Sequence, residues 1–294
     1  MEKIAAGIVT YNPDMQRLKE NIEAAIAQVD LVIIVDNGSK NIEELKKTWE
    51  AHEKIQLICN KENKGIAAAL NQILNCSIEK GYNWTLTLDG DSVVPDNMVE
   101  QYRKYLKEEK VAMIVPVICD RVMQEIDIRE SKDGEYTYVE NAITSGTLMR
   151  NSIWQEVGGF TEKLFIDYVD FDYCMKVRMA GYRILRVNAV RLLHELGNAT
   201  EIKLFSMLAK CCKKGSPWER RFLELRYTTN HSPKRLYYVT RNQYYYINHY
   251  GKYFDVPRLK RGMKIGWVVK LIFEKQKIAK FKAICQGIKD GKNM

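Results

Sequence analysis

Two aspartates separated by one glycine, Asp89-Gly90-Asp91, follow the apolar run Trp84 to Leu88. In extended chain, residues two apart project to the same side, so both carboxylates can face one space. Like charges that close repel unless something neutralises them. A divalent cation, which prefers oxygen ligands, would do so. An ordinary Asp-Gly turn would also account for the pair. A second acidic cluster, Asp167, Asp170 and Asp172, lies in FIDYVDFDYC. Carboxylates there could serve as an acid or base, or could sit at a helix N-terminus, where the dipole favours them.

Groups like these need a scaffold, and the first half of the chain supplies one by alternation. Ile4 to Val9 and Leu31 to Val35 read as buried strands, as do Ile55 to Cys59 and Trp84 to Asp89. Between them, Met15 to Val29, Ile42 to Trp49 and Gly65 to Leu74 carry helical periodicity. Such alternation predicts an α/β fold, a mostly parallel sheet flanked by helices. Ligands of these sheets bind outside the carboxyl ends of the strands. The polar clusters fall there: Thr10-Tyr11-Asn12, Asp36-Asn37-Gly38-Ser39, Asn60 to Gly65, and Asp89-Gly90-Asp91. Farther on, Val111 to Val117 and Ala142 to Met149 read as strands, the second containing Ser145-Gly146. From Leu204 onward the pattern is mainly helical. The expected organisation is a catalytic domain over 1–200 and a helical region over 201–294.

The charge is unevenly placed. Residues 251–294 hold 12 Lys/Arg against 3 Asp/Glu, which is the whole net charge of +9, so the first 250 residues are neutral. Basic residues mixed with Trp267, Phe273 and Phe281 suggest that 258–289 meets a membrane interface, a packed helix pair or an oligomer partner. No nucleic-acid motif accompanies the charge, so nucleic acid is not an expected partner. Seven cysteines without a CxxC pair indicate neither a disulfide framework nor a zinc site; most are expected to be reduced and buried. No run reaches the roughly 18 apolar residues of a membrane span. MEKIAAGIVTYN lacks the layout of a signal peptide. The expected location is the cytoplasm, with a possible peripheral contact at the inner face of the membrane.

Taken in order, VTYN, VDNGS, NKGIAAALN, LDGDS, SGTLMR, GGF, FIDYVDFDYC, RMAGYRI and LLHELG form one set. The set resembles inverting nucleotide-sugar glycosyltransferases of family 2, with the GT-A fold, over about residues 4–250. It is most similar to the rhamnosyltransferase-like group, which typically ends in a segment like SPKRLYYVTRNQYYYINHY (232–250).

The resemblance implies roles. Asp91, with Asp89, would hold Mg²⁺ or Mn²⁺ bridging the donor diphosphate; Asp89 could instead bond the ribose, with Gly90 between them. His194 would be a further metal ligand. Asp36 would accept from the N3–H of a pyrimidine base, beside a wall of Thr10, Tyr11 and Asn12, with Asn63 and Gly65 approaching the nucleotide. An Asx-turn or helix cap is the structural alternative for Asp36. Ser145 and Gly146 would line the sugar pocket on the acceptor side. Asp170 would be the general base, with Asp167 as second choice and Asp172 as support. Many relatives carry Glu-Asp where this chain has Val169-Asp170. The implied donor is dTDP-rhamnose and the implied acceptor a polysaccharide or lipid-linked glycan. A UDP-hexose or UDP-galactofuranose transferase, or an inactive nucleotide-binding module, is the alternative.

Overall fold

The computed structural model describes residues 2–120, 134–194 and 199–294, apart from the side chains of Asp120 and His194. The chain divides into two compact units, Met1–Glu195 and Leu196–Met294.

The first unit is built on one eight-stranded sheet. Its strands are β1 (Ile4–Thr10), β2 (Leu31–Asp36), β3 (Ile55–Cys59), β4 (Trp84–Asp89), β5 (Val111–Asp120), β6 (Tyr136–Val139), β7 (Thr147–Arg150) and β8 (Arg183–His194). They lie in the order β3-β2-β1-β4-β7-β5-β8-β6. β1, β2, β3 and β4 pair in parallel, as do β5 and β8. β7 and β6 run antiparallel to their neighbours.

The helices of this unit are α1 (Met15–Ile26), α2 (Ile42–Trp49), α3 (Ile66–Glu79), α4 (Met98–Arg103), α5 (Asn151–Glu156) and α6 (Val169–Met179). Helix α1 starts where the Asp14 carboxylate accepts from the backbone N–H groups of Gln16 and Arg17. It buries Leu18, Ile22 and Ala25, and each fully buried Leu or Ile contributes about 2 kcal/mol. Helix α3 packs closely on β1 because residue 7 is glycine. A Cβ there would lie 2.1 Å from Ile73 Cγ2.

One expected strand is shorter than its pattern suggested. Ala142 to Met149 does not pair from its start; β7 begins only at Thr147. Gly146 takes φ +75° and its N–H donates to the Thr87 carbonyl at 2.8 Å. The Ser145-Gly146 turn therefore precedes the strand rather than lying inside it. The cysteines also depart from expectation. Only Cys119 and Cys174 are buried, and Cys59, Cys211 and Cys285 are exposed, all seven being free thiols.

The second unit is mainly helical: α7 (Lys203–Cys211), α8 (Pro217–Leu225), α9 (Pro233–Tyr250), α10 (Val256–Phe273) and α11 (Lys277–Lys292), with a small antiparallel pair, β9 (Thr200–Glu201) and β10 (Tyr227–Thr228). Ser216, Ser232 and Asp255 cap α8, α9 and α10, each followed by a proline in the first turn. That arrangement fixes where each helix starts. Gly287 and Gly291, one turn apart, seat α11 against the backbone of α9; a Cβ on Gly291 would lie 2.3 Å from the Arg241 carbonyl oxygen.

A buried ion cluster ties the end of α10 to α11 and β10. Glu274 is 2% exposed and accepts from Lys280, the Thr228 hydroxyl, the Asn230 N–H at 3.1 Å and Lys270 at 3.3 Å. Burial pushes its carboxyl up, but the bonds from Lys280 and Thr228 and the charge of Lys270 outweigh it and hold Glu274 below the usual carboxylate range. Removing one partner strands a charge. Glu274→Ala is therefore expected to cost about 3–5 kcal/mol, read as a lower urea midpoint. An unchanged midpoint would mean that the cluster does not stabilise the unit.

Candidate active site

β1 and β4 lie side by side and parallel, with Val9 opposite Asp89. The sheet continues from them in opposite directions, through β2 and β3 on one side and β7 and β5 on the other. Such a reversal of strand order opens a crevice at the carboxyl ends. Here a cleft of about 340 Å³ occupies that point, lined by Thr10, Tyr11, Asn12, Arg17, Gly90 and Asp91 among others. Four residues expected on the nucleotide side thus share one space with an expected metal ligand. Arg17 is an addition; its charge escaped sequence reasoning because the first turn of an amphipathic helix commonly carries one.

The cleft is held by its neighbours. Asn12 adopts φ +49°, donates its N–H to Ser39 Oγ at 2.7 Å and accepts from the Lys40 N–H at 2.9 Å. Its side chain ties the β1 end to the β2 end. Tyr11, 54% exposed, is the open wall. The backbone of Asp89 is clamped from two sides. Asn21 Nδ2 donates to its carbonyl at 2.8 Å, and its own N–H donates to Ser145 Oγ at 3.4 Å. Asn21 is fully buried within the apolar stripe Leu18-Ile22-Ala25 of α1. A polar residue in such a stripe was the available signal.

Asp36 does not face the cleft. It is fully buried. Its Oδ1 accepts from the Thr10 hydroxyl at 3.2 Å, and its Oδ2 accepts from the N–H groups of Gly38 (3.2 Å) and Ser39 (2.9 Å). This is an Asx-turn, and Asp36 supports the rim from beneath Thr10. Asn63 is likewise engaged within the protein. Its Oδ1 accepts from the Gly65 N–H at 2.9 Å and from Asn37 Nδ2 at 3.2 Å. Asn37 also accepts from Asn60 and the Lys64 N–H, and Asn60 exchanges bonds with Gln72. These side-chain amides fasten the ends of β2 and β3 to α3.

Gly65 allows a close approach of two backbone segments. It holds φ +88°, and a Cβ would lie 2.6 Å from the Phe165 carbonyl oxygen. The Ile66 N–H donates to that same oxygen at 2.7 Å. Gly65 thus seats the acidic loop on the start of α3. Gly65→Ala is expected to cost roughly 2 kcal/mol and to lower kcat more than donor affinity, measured by melting and by donor titration. An unchanged kcat would separate the loop seat from catalysis.

The loop it seats is strained. Phe165, Asp167 and Tyr168 all take φ near +64°, with values of 63°, 64° and 65°. Such conformations cost about 1–3 kcal/mol each in a non-glycine residue and cluster where function requires them. Asp170 follows in the first turn of α6 and accepts from the Phe171 N–H at 2.9 Å. Part of the side chain reaches the surface, yet the surrounding protein desolvates the carboxylate. Burial pushes Asp170 up to about 6, and the charges of Asp167 and Asp89 add to it, against the pull of the Phe171 N–H. Of these influences the Asp89 charge is the smallest. Asp172 lies two residues farther along α6. Fully buried, it accepts from Thr161 Oγ1 at 2.6 Å and pairs with Lys176 at 3.4 Å. Lys176 also donates to the Gly159 carbonyl at 2.9 Å, and Asn71 bonds both the N–H and the carbonyl of Phe160. The Gly158-Gly159-Phe160 turn is thereby fixed ahead of the loop.

On the far side, the Ala142 N–H donates to Cys174 Sγ at 3.4 Å, tying α6 to the segment that carries Ser145 and Gly146. Gly146 also accepts from Tyr102 at 2.9 Å through its carbonyl. Ser145 therefore adjoins Asp89 by bonding, while Gly146 serves the packing beneath it.

Asp91 offers hard oxygen donors at the cleft, and Asp89 ends the adjoining strand two residues before it. Among the described residues, no three His, Cys, Asp or Glu side chains converge on a point. One or two carboxylates completed by phosphate and water oxygens is the magnesium pattern. The residues present fit that pattern and not an all-protein cage. His194 ends β8 opposite Asp120, and its side chain lies outside the described residues.

Residues 6–184 match the model of the family described as Glycosyl transferase family 2. The dTDP-rhamnosyl transferase RfbF of Shigella flexneri is 29% identical over 254 residues, covering 82% of this chain and 78% of its own length. The low-salt glycan biosynthesis hexosyltransferase Agl10 of Haloferax volcanii is 21% identical over 207 residues, covering 64% of this chain and 66% of its own. Among solved structures, GalNAc-T7 with UDP, GalNAc and Mn²⁺ superposes with a TM-score of 0.53 at 15% identity. That match covers 66% of this chain and 43% of GalNAc-T7, and it shows a shared GT-A fold.

Proposed function

Because the chain belongs to glycosyl transferase family 2, we propose that it is an inverting, metal-dependent rhamnosyltransferase. Its donor is dTDP-rhamnose, and its acceptor is a polysaccharide or lipid-linked glycan of a cell surface. The observation that carries the mechanism is the cleft at the carboxyl ends of β1 and β4, where Asp91 shares one space with Thr10, Tyr11 and Asn12. A base must stand beside the donor's reacting carbon, on the face opposite the departing phosphate.

In this reading the nucleotide lies over Thr10, Tyr11 and Asn12. Asp91 and Asp89 would hold Mg²⁺ or Mn²⁺. When bound, the ion neutralises negative charge gathering on the departing dTDP. Asp170, as carboxylate, accepts the proton of the acceptor hydroxyl as its oxygen bonds to the anomeric carbon. The bond from that carbon to the diphosphate breaks with its electron pair going to dTDP, and the configuration inverts. A carboxyl held near 6 is a better base than an ordinary aspartate and remains mostly ionised at neutral pH. The rhamnosyl donor rests on the likeness to the Shigella flexneri enzyme. Likeness to a hexosyltransferase supports transfer of a hexose as the second reading, for which a UDP-sugar is the donor to try. The helical unit is assigned the acceptor side and a peripheral contact with the membrane through 258–289, where the excess positive charge lies.

The test is mass spectrometry of a membrane lipid extract incubated with the protein, Mg²⁺ and dTDP-rhamnose. A glycolipid heavier by one deoxyhexose supports the reading. A hexose gained only from a UDP-sugar would replace the donor and leave the mechanism standing.

A further inference from the structure

The C-terminal unit contains a cleft of about 790 Å³ between α8, α9 and α10, within the size range of small-molecule sites. Basic and apolar residues alternate along α10 in its lining, with Leu259 and Met263 beside the arginines and Lys270 beyond Trp267. Arg258 and Arg261 stand near the N-terminal end, one turn apart on the same face, while Ile265 and Trp267 lie toward the other end. Leu236 and Val239 of α9 form an apolar floor. The guanidinium groups of Arg258 and Arg261 have no ion-pair partner among the described residues. Gln243, also in the lining, has a side-chain oxygen that is buried with no hydrogen-bond partner among the described residues. Gly262 and Gly266 keep the cleft open. A Cβ on either would meet nothing within 4 Å, although glycine costs about 1 kcal/mol against alanine inside a helix.

We propose that this cleft binds a membrane lipid with a phosphate headgroup. Arg258 and Arg261 take the phosphate, for which paired guanidinium donors are suited. The apolar floor and Trp267 take the first part of the hydrocarbon chain. A headgroup hydroxyl supplies the donor that Gln243 lacks. Charge complementarity selects this occupant over a neutral one, because the lining carries four cations, Arg221, Arg258, Arg261 and Lys270, against two carboxylates, Glu224 and Asp255. The same unit can reach the source of such a ligand. Val268, Ile272, Ile278 and Phe281 are all more than half exposed on α10 and α11, within a segment of net charge +9. The site lies wholly in the helical unit, so its occupancy does not depend on the identity of the sugar donor.

The test is calorimetric titration of the full chain with dodecyl phosphate below its micelle concentration, and co-sedimentation with vesicles of phosphatidylglycerol and phosphatidylcholine. Gly266→Phe fills the cleft without altering charge; Arg258→Gln with Arg261→Gln removes the phosphate ligands at exposed positions. Saturable one-to-one binding, weakened about tenfold by either change, is the expected result. Vesicle binding should fall in Gly266→Phe as well, which surface charge alone would not produce. Wild-type binding by a folded Gly266→Phe protein would overturn the proposal. So would equal binding of dodecyl maltoside, or displacement by inorganic phosphate at similar concentration. Unaltered dTDP-rhamnose binding in both variants keeps this outcome separate from the donor reading.

Discussion

Asp170→Asn abolishes sugar transfer, lowering kcat by about 10²–10⁴-fold, while dTDP-rhamnose still binds with little change in affinity. The asparagine keeps the shape of the first turn of α6 but cannot accept a proton. The change leaves the β1–β4 cleft, where the nucleotide is held, untouched. In the wild-type protein the base must be ionised, so kcat should rise with pH and level off above about 6, the value to which burial, Asp167 and Asp89 raise Asp170. Stability carries the opposite sign. An aspartate raised from 3.8 to about 6 binds its proton more tightly in the folded chain than in the unfolded one. Between those values, folding stability falls as pH rises. The loss is complete above the folded value. Asp170→Asn should therefore melt higher than wild type at pH 7.5 and gain little or nothing at pH 3.5. A variant that is inactive yet more stable at neutral pH marks a group kept for chemistry. A variant that still transfers sugar would move the base to Asp167.

The second large effect is on donor binding. Asp91→Ala should weaken dTDP-rhamnose in Mg²⁺ by about two orders of magnitude. The affinity left should equal that of wild type in EDTA, and EDTA should change nothing further in the variant. Asp91 lines the cleft and its carboxylate lies at the surface, so the substitution leaves no buried charge unpaired and should not lower stability. Donor binding that still responds to Mg²⁺ in Asp91→Ala would assign the ion to Asp89 alone, or to ligands outside the cleft.

Much of the scaffold could be read from periodicity. The strands ending at Asp36, Cys59 and Asp89 lie where the apolar runs place them, and so does α2. Those segments are buried on the sheet, and local pattern and tertiary demand agree. The polar strand ends were visible for the same reason, since each interrupts an apolar run on one rim. Direction within the rim was not. Asp36 and Asp91 both follow an apolar strand, but only the three-dimensional turn decides that one carboxylate folds under Thr10 while the other faces the cleft. Gly65 and Gly146 carried the general signal of a close approach. Their partners, Phe165 and Leu192, are about 100 and 46 residues away in sequence, beyond any local pattern. The three left-handed residues before Asp170 had no signature at all, because none is a glycine. That strain is sustained by packing on α3, which sequence alone does not display.

Calorimetric titration with dTDP-rhamnose, UDP-glucose and UDP-galactose, in Mg²⁺ or Mn²⁺ and again in EDTA, tests the central claim most directly. The account predicts metal-dependent binding that prefers dTDP-rhamnose. Metal-dependent binding of a UDP-sugar in its place would contradict the donor, and binding of dTDP-rhamnose that is indifferent to EDTA would contradict the role given to Asp89 and Asp91.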